Sequence, residues 1–530
     1  MVPTIEMVTC GTLSGVPASA ACVDGATNNI SATTNAFRYD ARMRMVRCGL
    51  VLLVMAGAAC GGSTAKPDGG GGGGADGGGN RWTGNVSASI NRNVDVLFLI
   101  DDSSSMRLLQ DKLIQSFPAF ITRLQDPPGL PNIHIAVVSQ DMGAGDGSIS
   151  SCSRTGLGGI FQSTPRGTCT STGLQPGATF IKDVGGARNY TGNLADVFTC
   201  IAALGEGGCG FEHQFSALLR ALGADGSPPP IENQEFLRPD AYLAIVMLTN
   251  EDDCSEVPGT TFFDVASNTN VASVLGPPVN FRCNEFGHLC KDAAGNQVRP
   301  ARLAPNNDLA SMVTYTDCTS NETGMWLRTV ADTASRIKAL KADPSQIAVM
   351  SIQGPTSPYT VTWKAPFAAE GDTSCGATSC PWPAMAHSCS AADYSFADPG
   401  IRTSQFVKAF GDTGLELPIC SDSLGPSMDR AAQLINGLLG PPCIPGPVGL
   451  NPATGEPDCK ITERTRSATG TTATKTVPSC ADSGGNPPCW SLGPPSSTCQ
   501  GSVLSVSVDP GLDASTEATI TYDCAKDTTF

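Results

Sequence analysis

Val94-Asp95-Val96-Leu97-Phe98-Leu99-Ile100 runs straight into Asp101-Asp102-Ser103-Ser104-Ser105-Met106. The first stretch reads as a buried strand, because aliphatic and aromatic residues surround a single charge. The second places one carboxylate and two hydroxyls, spaced D-x-S-x-S, on the turn that follows. A helical pattern over 108–124 starts at once. Strand, turn and helix in that order put the three oxygens at the carboxyl end of a sheet, where open α/β folds bind ligands. Oxygen-only donors suit a hard divalent cation such as Mg²⁺. Without the strand before it, the same turn would read as an Asp/Ser cap on a helix.

Working outward, strand and helix patterns alternate from about residue 89 to 440. A strand is expected at 133–138, then a long Gly/Ser/Thr loop over 140–190. Helices are expected at 194–204 and 212–222, and a buried strand at 242–248. A Cys-rich insertion follows over 254–320. Apolar residues at 327, 330, 334, 337 and 340 predict an amphipathic helix over 326–340. A strand at 347–352, a third insertion at 355–398, and a short strand and helix at 415–419 and 428–439 complete the series. This alternation predicts an α/β fold on a doubly wound, mostly parallel sheet with Cys-rich loop insertions. Residues 441–530 are rich in Pro, Gly, Thr and Cys, with short β patterns at 501–508 and 518–522. They predict a small Cys-rich C-terminal β extension.

Asp101, Ser103 and Ser105 in this setting resemble the first metal loop of a von Willebrand factor A (vWA) domain, part of that family's metal-ion-dependent adhesion site. The resemblance implies a second loop with a Thr just before a helix. The matching stretch, Gly208 to Leu218, has no Thr, and Glu212 lies nearest its place. It also implies Thr-Asp-Gly after the middle strand. Here that stretch is Leu248-Thr249-Asn250-Glu251-Asp252-Asp253-Cys254-Ser255, with Asn250 at the Asp position and Asp252 and Asp253 near enough to compensate. The implied metal set is Asp101, Ser103, Ser105, Glu212, Asn250 and Asp252. The implied ion is divalent, Mg²⁺ ahead of Mn²⁺ or Ca²⁺, and the implied partner is a protein that offers an exposed carboxylate. Two plainer readings compete: Glu212 as an acid at a helix N-terminus, and 250–253 as a solvated polar loop. The Glu-Asp-Asp-Cys-Ser run after this strand is similar to vWA lipoproteins of myxobacteria and related bacteria.

The N-terminal region carries its own signals. Met43-Arg44-Met45-Val46-Arg47 is basic, Leu50-Val51-Leu52-Leu53-Val54-Met55 is apolar, and Gly57-Ala58-Ala59-Cys60 is small. Head, middle and end together describe an export signal over 43–59. Its apolar part is too short to span a bilayer. Small residues ending at a Cys resemble a bacterial lipobox, which implies lipidation of Cys60. Gly57 stands where that family usually has Leu, so plain secretion is the competing reading. Gly61 fits outer-membrane sorting, on either its periplasmic or its cell-surface side. Residues 1–42 read as an extension upstream of a start at Met43 or Met45. Residues 60–88 read as the lipidated Cys and a Gly-rich linker, of which about 20 residues would have an end-to-end distance of roughly 25 Å.

The chain has 22 Cys. Cys10, Cys22, Cys48 and Cys60 fall at or before the cleavage point, which leaves 18 in the body. In an exported chain these read as up to nine disulfides. Locally plausible pairs are Cys152 with Cys169, Cys200 with Cys209, Cys283 with Cys290, and Cys375 with Cys380. Cys283, His288 and Cys290 lack the paired C-x-x-C spacing of structural zinc, as do Cys375, Cys380, His387 and Cys389.

The formal charge is −16, and nothing reads as a basic stripe for nucleic acid. There is no G-x-S-x-G, H-E-x-x-H or P-loop. The four His, at 134, 213, 288 and 387, show no catalytic pairing. The chain therefore reads as a non-enzymatic, metal-dependent adhesion module held to the membrane by its lipid alone. The alternative is a structural envelope protein whose vWA fold carries a degenerate, metal-free site.

Overall fold

The computed structural model describes residues 80–527, apart from 88–90, 127–128, 146, 148, 150–151, 266–267, 367–371, 377–378, 441–442, 467–471, 495–500 and 508–516. The export signal, Cys60 and the Gly-rich tether lie outside the described residues. No helix among the described residues is long and apolar enough to cross a membrane.

A seven-stranded sheet forms the centre. Its strands are β1 (Asn93–Ile100), β2 (Asn132–Ser139), β3 (Ile181–Val184), β4 (Tyr242–Leu248), β5 (Ile347–Gln353) and β6 (Gly414–Pro418), with Ala187–Arg188 beyond β3. In space the order is β6-β5-β4-β1-β2-β3. Neighbours from β6 to β2 pair in parallel, and β3 pairs antiparallel at the edge. The chain first adds strands on one side of β1, then returns to add β4, β5 and β6 on the other. The order reverses between β1 and β4, and it is at the carboxyl ends of the strands at such a reversal that open α/β folds bind ligands.

Side chains of β1 alternate between two apolar layers, as a pleated strand requires. Val94, Val96, Phe98 and Ile100 face α1 (Arg107–Leu124), α2 (Leu194–Ala202) and α6 (Gly425–Leu439). Leu97 and Leu99 face α3 (Gln214–Ala221), α4 (Val330–Lys338) and α5 (Ile401–Lys408). Phe98 meets the stacked rings of Phe117 and Phe198 edge-on in the first layer. The chain is thus mixed α/β, with helices on both faces of the sheet.

Several elements differ from the sequence reading. The helix expected over 326–340 starts only at Val330. Trp326 and Leu327 are drawn into backbone pairing with Val257 and Glu256, and Thr329 caps the helix instead. The second and third insertions are not separate loops. They join in a five-stranded antiparallel sheet, ordered Trp382–Met385, Tyr359–Lys364, Met312–Ser320, His288–Lys291 and Gln297–Val298. The linker assigned to 60–88 ends earlier, because Arg81–Ser87 pairs with Glu517–Ala525 in a four-stranded C-terminal sheet. That sheet and the smaller one of Cys443–Ile444, Ser502–Ser507 and Cys489–Gly493 share an apolar core around Ile461, Trp490, Leu504 and Ile520.

Eight disulfides occur among the described residues. Of the four local pairs expected, only Cys375–Cys380 forms. Cys152 pairs with Cys209 and encloses Cys169–Cys200, while Cys283 pairs with Cys254 and Cys290 with Cys318. Sheet pairing and loop packing, rather than sequence spacing, decide which sulfurs meet.

Candidate metal centre

The carboxyl ends of β1 and β4 are tied together by the backbone, with Asp101 N donating to Leu248 O at 3.0 Å. Asp101 is fully buried. One of its oxygens accepts from Ser103 N at 2.8 Å, and the other lies 3.1 Å from Thr249 Oγ1. Ser103 Oγ is 3.3 Å from Ser105 Oγ. The Asn250 amide lies against Ser105 Oγ, with Nδ2 at 3.1 Å and Oδ1 at 3.3 Å. Gln110 on α1 fixes the turn from behind, donating to Asp101 O at 2.7 Å and Gly205 O at 2.9 Å. Gly208 donates to Asp102 O, and a Cβ there would run into the Asp102 carboxyl. A side chain at 208 would therefore push the second loop off the first.

Asp101, Ser103, Ser105 and Asn250 thus lie together at the ends of β1 and β4. Glu212, on the second loop, lies near enough to Asp101 to feel its charge. It is 2 % exposed, and its Oε1 has no hydrogen-bond partner. Its carboxyl faces that of Glu251, whose Oε2 accepts from Asn280 Nδ2 at 2.6 Å. Burial pushes the Asp101 carboxyl up, against donors from Ser103 and Thr249. Burial, then the charges of Glu251 and Asp101, push Glu212 well up. Burial and the nearby Asp398 charge push Glu251 up to about 8. Among the described residues none of these three acids has a Lys, Arg or His ion pair.

Asp252 departs from the expected metal set. It points away from Ser105 into a buried network. Its Oδ2 accepts from the backbone N–H groups of Ile401 and Arg402, both at 2.7 Å, and lies 2.8 Å from His288 Nε2. Its Oδ1 accepts from Thr403 N at 3.0 Å. It therefore satisfies the open N–H groups at the start of α5. Asp253 does not compensate for Asn250 either, because it is taken by Arg402, Phe215 N and Ser255.

The oxygens present fit a hard divalent cation. The donors are a carboxylate, two hydroxyls, an amide oxygen and an orphaned buried carboxyl oxygen, with no competing soft ligand. Among the described residues no three His, Cys, Asp or Glu side chains converge to hold an ion by themselves. A metal here would thus rely on Ser103, Ser105, Asn250 and water, which suits an ion that keeps part of its hydration shell.

Sequence reasoning missed Thr249, Glu251, Asn280 and Gln110. Thr249 and Glu251 lay within the quoted loop without a role, because nothing in the sequence shows the second insertion bringing Asn280 to Glu251. It also missed two His–Asp contacts, His288 with Asp252 and His387 with Asp398 at 2.7 Å.

No family model matches the chain, and no curated protein does. Three similar solved structures are a von Willebrand factor type A protein from Catenulispora acidiphila and the pilus adhesins SpaC from Lactobacillus rhamnosus GG and RrgA from Streptococcus pneumoniae. The first is 10 % identical, with 84 % of this chain and 61 % of that one covered and a TM-score of 0.26. SpaC is 12 % identical, with 84 % and 42 % covered and a TM-score of 0.26. RrgA is 11 % identical, with 85 % and 60 % covered and a TM-score of 0.25. The chain spans less than two thirds of each of these structures.

Proposed function

We propose that residues 89–440 form a doubly wound, vWA-type binding module that engages a partner's carboxylate through a divalent cation, Mg²⁺ first, with Mn²⁺ or Ca²⁺ as alternatives. The observation that carries this reading is the meeting of Asp101, Ser103, Ser105 and Asn250 where the strand order reverses. Asp101 would be the charged ligand, with Ser103 and Ser105 as neutral ones. Gln110 and Thr249 hold Asp101 in place, and Asn250 orients Ser105. Once bound, the ion would supply a Lewis-acidic point for an incoming oxygen. The work done is binding rather than catalysis, and no nucleic acid is involved. The module would be exported and lipid-anchored at Cys60 in a bacterial cell envelope, at the outer membrane, as in the lipoproteins it resembles.

Withdrawal of Asp252 into the α5 network favours a second reading, an envelope scaffold with a metal-free site. Calorimetric titration of Mg²⁺, Mn²⁺ and Ca²⁺ into the oxidised protein and its Asp101→Ala variant separates the two. Saturable binding that the variant loses supports the first reading. No binding by the folded wild type leaves the scaffold.

A further inference from the structure

We propose that the C-terminal extension is the mount of this molecule. It grips the strand Arg81–Ser87, so a pull arriving along the N-terminal segment enters the extension before it reaches β1. The grip is a strap that opens while the extension itself holds. This is so whether or not an ion binds at Asp101.

The strand Arg81–Ser87 ends shortly before Asn93, where β1 begins and runs on to Asp101. Tension on a plain linker at this place would fall directly on the strand that carries Asp101. Instead the segment pairs antiparallel along its whole length, from Arg81 opposite Ala525 to Ser87 opposite Thr519. Just outside the ladder, Lys526 N donates to Asn80 O at 2.8 Å.

Side chains add a grip at the end where the N-terminal segment arrives. Arg81 Nε donates to the Asp523 carboxylate, and Nη2 to Asp523 O at 2.9 Å, while Nη1 lies 3.4 Å from Asp458 Oδ2. Trp82 Nε1 donates to Pro447 O at 3.1 Å, and Lys526 Nζ lies 4.4 Å from the ring centre. Gly446 packs against the indole, where a Cβ would come within 2.5 Å of Cζ2. At Gly84 a Cβ would collide with the Tyr522 ring, so the missing side chain lets that ring approach the strand. Partly exposed ion pairs contribute little alone. The ladder and the indole carry most of the hold.

The two sides of this contact are not equally fastened. The accepting strand, Glu517–Ala525, lies between Arg81–Ser87 and Cys459–Arg466, and the disulfide Cys459–Cys524 staples it to the latter. Arg81–Ser87 is an edge strand and contains no Cys. Asn80 and Lys526 lie side by side, so drawing the two ends of the chain apart opens the ladder from Arg81 onward, one pair at a time. Local opening at such an edge costs less than opening a stapled sheet. The strap therefore opens first, and residues 80–92, once extended, add roughly 40 Å of reach.

Pulling the oxidised full chain by its two ends in a single-molecule force experiment tests this. Wild type is compared with Trp82→Phe and with an Arg81→Ala, Trp82→Ala double variant, each checked for a wild-type circular-dichroism spectrum. In wild type the step at lowest force should lengthen the chain by roughly 40 Å and reverse on relaxation. In the double variant that step should vanish or move to lower force, with the later steps unchanged. Trp82→Phe, which keeps a ring and loses the bond to Pro447 O, should fall between the two. A first step several times longer in wild type would mean that the extension or β1 gives way with the strap, and overturns the proposal. A short step at the same force in all three proteins overturns it, as does the absence of a short step in wild type.

Discussion

Arg402 and Asp253 form an ion pair at 3.0 Å with neither side chain exposed to solvent. The guanidinium also donates to Ser320 Oγ at 3.0 Å and to Arg328 O, and lies over the Phe215 ring. It joins α5, the antiparallel insertion sheet, α3 and the loop after β4. Removing one partner of a buried pair leaves the other charge uncompensated. Arg402→Met should therefore lower the unfolding free energy by about 3–5 kcal/mol in a denaturant titration. Arg402→Met with Asp253→Asn should recover most of that loss. A double variant no better than the single one would show that packing, rather than charge, sets the cost.

Asp252 offers a sharper separation of roles. Its carboxylate accepts from the backbone N–H groups of Ile401, Arg402 and Thr403 and contacts His288, which in turn reaches Tyr359 OH at 2.8 Å. An Asn here would turn an NH₂ group toward donors. Asp252→Asn should cost about 2–4 kcal/mol of stability, the loss of one or two charge-assisted hydrogen bonds. Metal stoichiometry at the centre should be unchanged. A variant of wild-type stability that loses metal would return Asp252 to the ligand set.

The contrast between neighbouring residues shows what the sequence could convey. Strands β1 and β4 were legible because a run of buried aliphatics admits few alternatives, and the Asp101, Ser103 and Ser105 cluster followed from the turn that ends β1. Asn250 was legible only through the resemblance, as the residue at the Asp position of the family's Thr-Asp-Gly. Glu251, Asp252 and Asp253 were not separable. They form one acidic run, yet the chain sends Glu251 to Asn280, Asp252 to α5 and Asp253 to Arg402. That sorting depends on insertion and helix residues from about 30 to 150 positions away. The insertion sheet was hidden for a related reason: Tyr359–Lys364 pairs with Met312–Ser320 across β5, and nothing local marks the partnership.

His134 on β2 should give the fold an acid-sensitive term. Its Nδ1 lies 2.8 Å from the Phe236 carbonyl and must donate to it, so Nε2 is the unprotonated nitrogen, buried without a partner. Burial holds the imidazole down at about 4, with Arg238 and Lys182 acting in the same direction and the Phe236 carbonyl and Asp240 opposing. The unfolded chain takes up this proton near pH 6.5, before the folded chain does. The contribution is therefore fully present above about pH 6.5 and falls as the pH drops toward 4, by up to about 3 kcal/mol. Asp95, 3.5 Å away, works the other way: burial raises it to about 6, so its protonation favours the folded state over part of the same window. The difference between wild type and His134→Gln isolates the histidine, since Gln can keep the bond to Phe236 O and does not titrate. Denaturation midpoints at pH 7 and pH 4.5 should show wild type losing stability relative to the variant. A gap that stays constant with pH would mean that His134 does not titrate differently on folding.

The disulfides should differ in cost by position. Cys152–Cys209 closes a span of 57 residues, and Cys480–Cys489 a span of 9. By loop-closure entropy alone, losing the longer link should cost about 1–2 kcal/mol more than losing the shorter one. The longer link also shapes the centre. Cys209 lies three residues before Glu212, and Cys254 N donates to Glu212 O at 2.6 Å while its own sulfur is tied to Cys283. All four sulfurs sit in one apolar cluster with Phe211, Phe262 and Phe263 beneath the second loop. Replacing Cys152 and Cys209 by Ala should therefore weaken Mn²⁺ binding as well as lower the melting temperature. Replacing Cys480 and Cys489, in the C-terminal extension, should lower the melting temperature less and leave Mn²⁺ affinity unchanged. Equal metal affinity in both double variants would show that the Glu212 loop is held by its packing and by Gly208 against Asp102, without help from the disulfide.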